Sequence, residues 1–132
     1  PPGPRIYGIC RGTRSTRAAV TLRNATKDVS LVDKLEIARS PWARFWGLMG
    51  RSRLEHGQGM LLEPGNSIHM FFMRFPIDAV FVDREWEVLH VAHGIRPWRI
   101  SRIVSRSRRV IELPAGTCRL SGTVPGDVLA LS

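Results

Sequence analysis

The sequence predicts a mainly β domain: an antiparallel, jelly-roll-like sandwich or a partly open barrel carrying one or two short helices. Three observations support this reading. The 132 residues fit one domain with a core of its own. Short runs rich in Val, Ile, Leu and Phe recur along the chain, each bounded by Gly, Pro, Asn or Asp. Helical spacing of apolar residues is sustained over one short stretch only.

The domain is expected to span residues 20–132, preceded by a leader, "PPGPRIYGICRGTRSTRAA". Residues 1–19 lack periodicity, carry arginine without acid and hold no apolar stretch of a secretory signal. They are read as a disordered basic leader foreign to the domain, with the natural start expected near Val20. "VTLRN" (20–24) and "VSLVDKLEIA" (29–38) are expected strands, joined by the polar turn "ATKD". "SPWARFWGLMG" (40–50) is the expected helix. Ser40 can cap it, Pro41 suits its first turn, and Trp42, Phe45, Trp46 and Met49 fall at helical spacing. "MLLE" is a short strand closed by "PGN"; residues 67–74, 77–83 and 87–93 are further strands. Residues 94–109, "GIRPWRISRIVSRSRR", form a long connection. "RVIEL" (109–113) is a strand, "PAGTCRLSG" holds a helical turn, and "VPGDVLALS" is a turn into a strand.

Composition narrows the function classes. The chain is 43% hydrophobic and 23% charged, so it is neither disordered nor membrane-like. No apolar run reaches the roughly 18 residues that would span a bilayer. Such a chain is expected to be soluble and cytoplasmic. The net charge of +9 invites a nucleic-acid reading, because Arg and Lys neutralise phosphates. Its distribution weakens that reading: Arg5, Arg11, Arg14 and Arg17 of the leader supply much of the excess. Cys10 and Cys118 are far apart and no Cys-x-x-Cys pair occurs, which argues against a disulfide framework or a zinc ribbon.

"RFWGLMGR", "GML", "FFMRFPIDAVFVD", "PWR", "ELPAG" and "PGD" occur in that order from about Val20 to Ser132. In this the chain resembles the uncharacterised prokaryotic family known as domain of unknown function 192. The resemblance implies a compact, mainly β, jelly-roll-like sandwich and implies no reaction. The positions that match its motifs include Arg44, Gly47, Met49, Arg51, Gly59, Met60, Met73, Asp78, Glu112, Gly116 and Asp127. Many relatives carry a secretory signal and this chain departs from them there.

Candidate chemistry centres on "IHMFFMRFPIDAVFVD" (68–83), an apolar stretch holding His69, Arg74 and Asp78. In the tight-hairpin register, His69 and Asp78 lie about 13 Å apart along the strand. A hydrogen bond needs about 3 Å, so a local dyad is rejected. Asp78 is instead expected to accept backbone N–H groups beside the turn. His90 and His93 of "HVAH" point to opposite faces of a strand and do not share a metal. No metal site and no cofactor are predicted, and a cupin-like metal-dependent enzyme stays as the alternative. No nucleophile elbow, Walker loop or dinucleotide fingerprint is present. Glu112 interrupts the apolar strand "VIEL" and calls for a cationic partner, with Arg44 or Arg51 the first candidates.

These residues define two expected sites. A ligand pocket would draw on Arg44, Arg51, His69, Met73, Asp78 and Glu112. A basic surface would draw on Arg96, Trp98, Arg99 and Arg102, within an acid-free run that continues to Arg106, Arg108 and Arg109. The reading favoured by the sequence is a small binding or accessory domain rather than an enzyme, its partner an unidentified small ligand or protein. A basic RNA-associated module is carried as an alternative that the charge distribution does not favour.

Overall fold

A computed structural model describes residues 20–39, 53–68, 70 and 73–132. Seven strands form one sheet in these residues: β1 (Val20–Asn24), β2 (Val29–Ala38), β3 (Gly57–Leu62), β4 (Ile77–Val82), β5 (Val88–Ile95), β6 (Arg109–Pro114) and β7 (Leu129–Leu131). A short helix, α1 (Thr117–Ser121), follows β6. The strand order is β5-β4-β6-β3-β2-β1-β7. The two outermost strands approach each other: Glu87 bridges Val128, and Val88 N–H donates to the Asp127 carbonyl across the gap. The sheet is therefore a curled half-barrel, the open-barrel form of the expected fold.

All pairings are antiparallel except β2 with β3, where Leu35 to Ala38 run alongside Gly59 to Leu62 in the same direction. This corrects the purely antiparallel expectation. Parallel neighbours need a crossover of about a dozen residues or more, and residues 39–56 supply that length. The expected helix at 40–50 and the leader at 1–19 lie outside the described residues.

Curling places an apolar cluster on each face. One cluster contains Leu22, Val32, Leu61, Val80, Ile111, Leu113 and Cys118, with α1 packed over it. The other contains Met60, Ile77, Ala79, Phe81 and Val110 beneath Ile68, Met70, Met73 and Phe75. Successive residues of β4 alternate between the two, and all six are buried. A strand covered on both faces reads as a continuous apolar run. That is why "IDAVFV" lacks the polar alternation of a one-sided strand.

The expected strand at 67–74 is not formed by its described members. Ile68 and Met70 instead bond to the connection between β5 and β6. Met70 N–H donates to the Arg99 carbonyl at 2.7 Å, Trp98 N–H to the Met70 carbonyl at 2.7 Å, and Ser101 N–H to the Ile68 carbonyl at 2.9 Å. Val104 N–H donates to Asn66 at 2.8 Å. Two irregular segments thus satisfy each other's backbone while dropping Ile68, Met70 and Met73 into the core.

Candidate docking surface

Of the expected pocket residues, Met73, Asp78 and Glu112 are described, and the sheet separates the two carboxylates. Asp78 stands opposite Leu113, a member of the α1-side cluster. Its Oδ1 accepts Gly94 N–H at 2.8 Å, and its Oδ2 accepts the N–H groups of Gly116 at 3.1 Å and Cys118 at 2.9 Å. The backbone-accepting role is thus present, but the donors come from β5 and α1 instead of the adjacent turn. Glu112 stands opposite both Ala79 and Met60, on the other face. Direct cross-strand partners share a face, so the sheet itself separates the two carboxylates. Met73 is buried on the Glu112 side. Arg44, Arg51 and His69 lie outside the described residues.

Asp78 also governs its neighbours. Gly94 adopts φ +57°, and the β4–β5 register slips by one residue between Ala79–Ala92 and Ile77–Ile95. This is a bulge at His93–Gly94 with its glycine in the left-handed region, pinned by the carboxylate. Cys118 is buried beside Asp78. Burial, the Asp78 charge and its hydrogen bond push the thiol well above the usual cysteine range, so it stays protonated and unreactive.

His90 lies on β5 with its ring 5.7 Å from that of Phe81. Burial, then the charges of Arg102 and His93, hold its pKa below the usual value. Residues 88–95 are extended. Among the described residues, no three His, Cys, Asp or Glu side chains gather as a metal-binding group.

The residues of the expected basic surface are all described. Arg96, Trp98, Arg99 and Arg102 all lie exposed on the segment held against residues 66–70. Arg106 and Arg108 continue it, also exposed. No salt bridge joins Arg96, Arg99, Arg102, Arg106 or Arg108 to a carboxylate of the described residues. Four other arginines do have such partners: Arg109 bonds Glu63 at 2.9 Å, Arg39 faces the same carboxylate, Arg53 pairs with Glu55, and Arg23 pairs with Asp28. Arg109 therefore leaves the basic run. Its guanidinium lies 4.4 Å over Trp86 and ties down the β4–β5 loop through the Asp83 and Arg84 carbonyls.

The profile of the family DUF192, described as "Uncharacterized ACR", matches residues 20–131. The chain belongs to the DUF192 family. Its relatives include a UPF0127 protein of Thermococcus sibiricus, 32% identical over 110 residues, spanning 80% of this chain and 71% of that protein. Another, from Thermococcus gammatolerans, is 34% identical over 111 residues, 81% and 72% of the two chains. Among solved structures, a Sinorhizobium meliloti protein, provisionally described as a transcription regulator, is 29% identical. It superposes with a TM-score of 0.69 over 84% of this chain and 90% of its own. A Novosphingobium aromaticivorans protein of unknown function is 22% identical and shares the fold, with a TM-score of 0.72 over 92% and 93%. Relatives and neighbours of this DUF192 domain bring no assigned reaction.

The DUF192 fold also exposes two side chains that the sequence reading passed over. Ile100 is 65% exposed and Ile103 is 69% exposed, beside Trp98 at 59%. The signal was present in "WRISRI", where apolar and basic residues interleave too closely for either to be hidden. An open cleft of about 310 Å³ lies between the start of β2, His56–Gly57 and α1. Asp33, His56 and Thr117 are among the residues that line it.

No helix among the described residues is long and apolar enough to cross a membrane.

Proposed function

We propose that this DUF192 domain is a binding module that seats itself on an anionic, phosphate-bearing partner through the ridge formed by residues 96–108. One observation carries the reading: five exposed arginines crowd one acid-free segment and lack carboxylate partners among the described residues, whereas Arg23, Arg39, Arg53 and Arg109 each have one. Guanidinium groups left unpaired in this way are free to grip phosphate oxygens in bidentate fashion. The backbone beneath them is already bonded to residues 66–70, so little ordering cost is added on binding.

Retention on an immobilised polyanion such as heparin tests this. The wild-type domain is expected to be retained at low salt and released as salt rises, because each neutralised anion frees a counterion. R99E/R102E is expected to elute at clearly lower salt. Elution of the variant together with wild type would overturn the proposal.

Nucleic acid, with single-stranded RNA as its test case, is the second reading, and the neighbour from Sinorhizobium is provisionally described as a transcription regulator. Single strands are usually held by aromatic side chains on which successive bases stack. The ridge offers Trp98 as its exposed aromatic, with isoleucines where further stacking residues would be needed.

A further inference from the structure

We infer that the partner of the ridge is an anionic bilayer surface, entered by Trp98, Ile100 and Ile103 while the arginines hold lipid phosphates; this rests on the anionic-partner reading above. The exposed apolar side chains are the reason. Their 59%, 65% and 69% exposure exceeds what a phosphate-binding loop requires, and a polyanion in water gives isoleucine nothing to bury against. An interface between headgroups and acyl chains accepts both kinds of residue at once. Tryptophan favours headgroup depth, isoleucine the acyl boundary, and arginine the phosphate layer.

The backbone at Trp98 strengthens the case. Arg99 N–H donates to the Arg96 carbonyl at 3.3 Å, Pro97 occupies the second corner, and Trp98 has φ +69°. This is the arrangement of a type II turn, whose third position favours glycine. A bulky aromatic residue is strained there. Trp86 shares the left-handed backbone, with φ +68°, but packs on the core under the Arg109 guanidinium. Trp98, at its own strained corner, keeps more than half of its surface exposed. The bonds from Trp98, Ser101 and Val104 to residues 66–70 fix the backbone there before any partner arrives. Ile100 and Ile103 fall between these bonded positions and stand out with it.

Flotation with vesicles of equal parts phosphatidylcholine and phosphatidylglycerol tests the inference, with pure phosphatidylcholine vesicles as the comparison. Wild type is expected to float with the anionic vesicles only. W98S/I100S/I103S is expected to bind them at least about tenfold more weakly while keeping its heparin retention. W98G is expected to lose vesicle binding in part and to unfold at higher temperature than wild type, because its corner no longer resists the turn. Wild-type protein that stays on heparin but ignores the vesicles would sink the lipid reading and leave the anionic one standing. Loss of both would sink both. Vesicle binding unchanged in the triple variant, or tighter binding of single-stranded RNA than of anionic vesicles, would also overturn the inference.

Discussion

Asp78 holds together three parts of the chain that are distant in sequence. Its two oxygens take N–H groups from the β5 bulge at Gly94 and from the entry of α1 at Gly116 and Cys118. A carboxylate accepts at every one of these positions, whereas an amide places its NH₂ against at least one donor. Asp78→Asn should therefore destabilise the domain by about 3 kcal/mol in urea titration. Stability within about 0.5 kcal/mol of wild type would mean that the charge serves something other than the fold. Asp127 plays a similar part at the other end. Burial pushes its carboxyl up, but hydrogen bonds from Lys27, Asn24 and Val124 N–H, with the Lys27 charge, outweigh this and hold it below the ordinary 3.8. The unfolded chain then takes the proton first. The stability contributed by Asp127 is complete above the unfolded value and is lost as pH falls through the folded one. Asp127→Asn should lower stability at neutral pH and flatten the decline below about pH 4, measured by denaturation across that range.

At the scale of the element, much of the sheet was legible and its loops were not. β1, β2 and β6 begin where the sequence places them, because each is an apolar run stopped by a strong turn: Asn24 through Asp28, or Pro114 through Gly116. The segment 67–74 was misread for a physical reason. Ile68, Met70 and Met73 of this segment cover Phe81 and Val110, and non-strand backbone at these described residues meets that demand once another loop supplies the hydrogen bonds. The parallel pairing of β2 with β3 was equally hidden, since strand direction leaves no mark on periodicity. Gly59 does leave a mark in the structure. A Cβ there would sit 2.9 Å from Val32 Cγ2, 3.1 Å from the Glu112 carbonyl oxygen and 3.2 Å from Leu113 Cδ2. Gly59→Ala should cost about 1–3 kcal/mol by overpacking, read from the urea midpoint. An unchanged midpoint would show that β3 can shift sideways without loss.

Seen as a whole, the molecule keeps its buried charge and its surface charge in different places, and this is where sequence reasoning about the site fell short. Asp78 and Glu112 are near neighbours in register, at Asp78–Leu113 and Ala79–Glu112, yet a single residue of offset puts them on opposite faces. Spacing along one strand could not reveal that offset without the partner strand. The basic ridge was easier to see, because an acid-free arginine run survives any pairing. Its apolar members were harder, since an isoleucine in a sequence carries no sign of whether a sheet will cover it. The reading of the ridge as a docking surface thus depends on the half-barrel leaving Trp98, Ile100 and Ile103 outside the two clusters that bury most apolar side chains of the strands.

The clasp between the two ends of the sheet has a consequence for the molecule among its copies. Gly126 N–H donates to Val88 and Leu129 N–H to Trp86, so β5 and the approach to β7 spend part of their outward hydrogen bonds on one another. An unpaired border is where foreign chains add themselves as extra rungs. Here the border is partly sewn to itself, and β7 beyond it is only three residues long. Crowding should leave such a molecule monodisperse until something unpicks that seam.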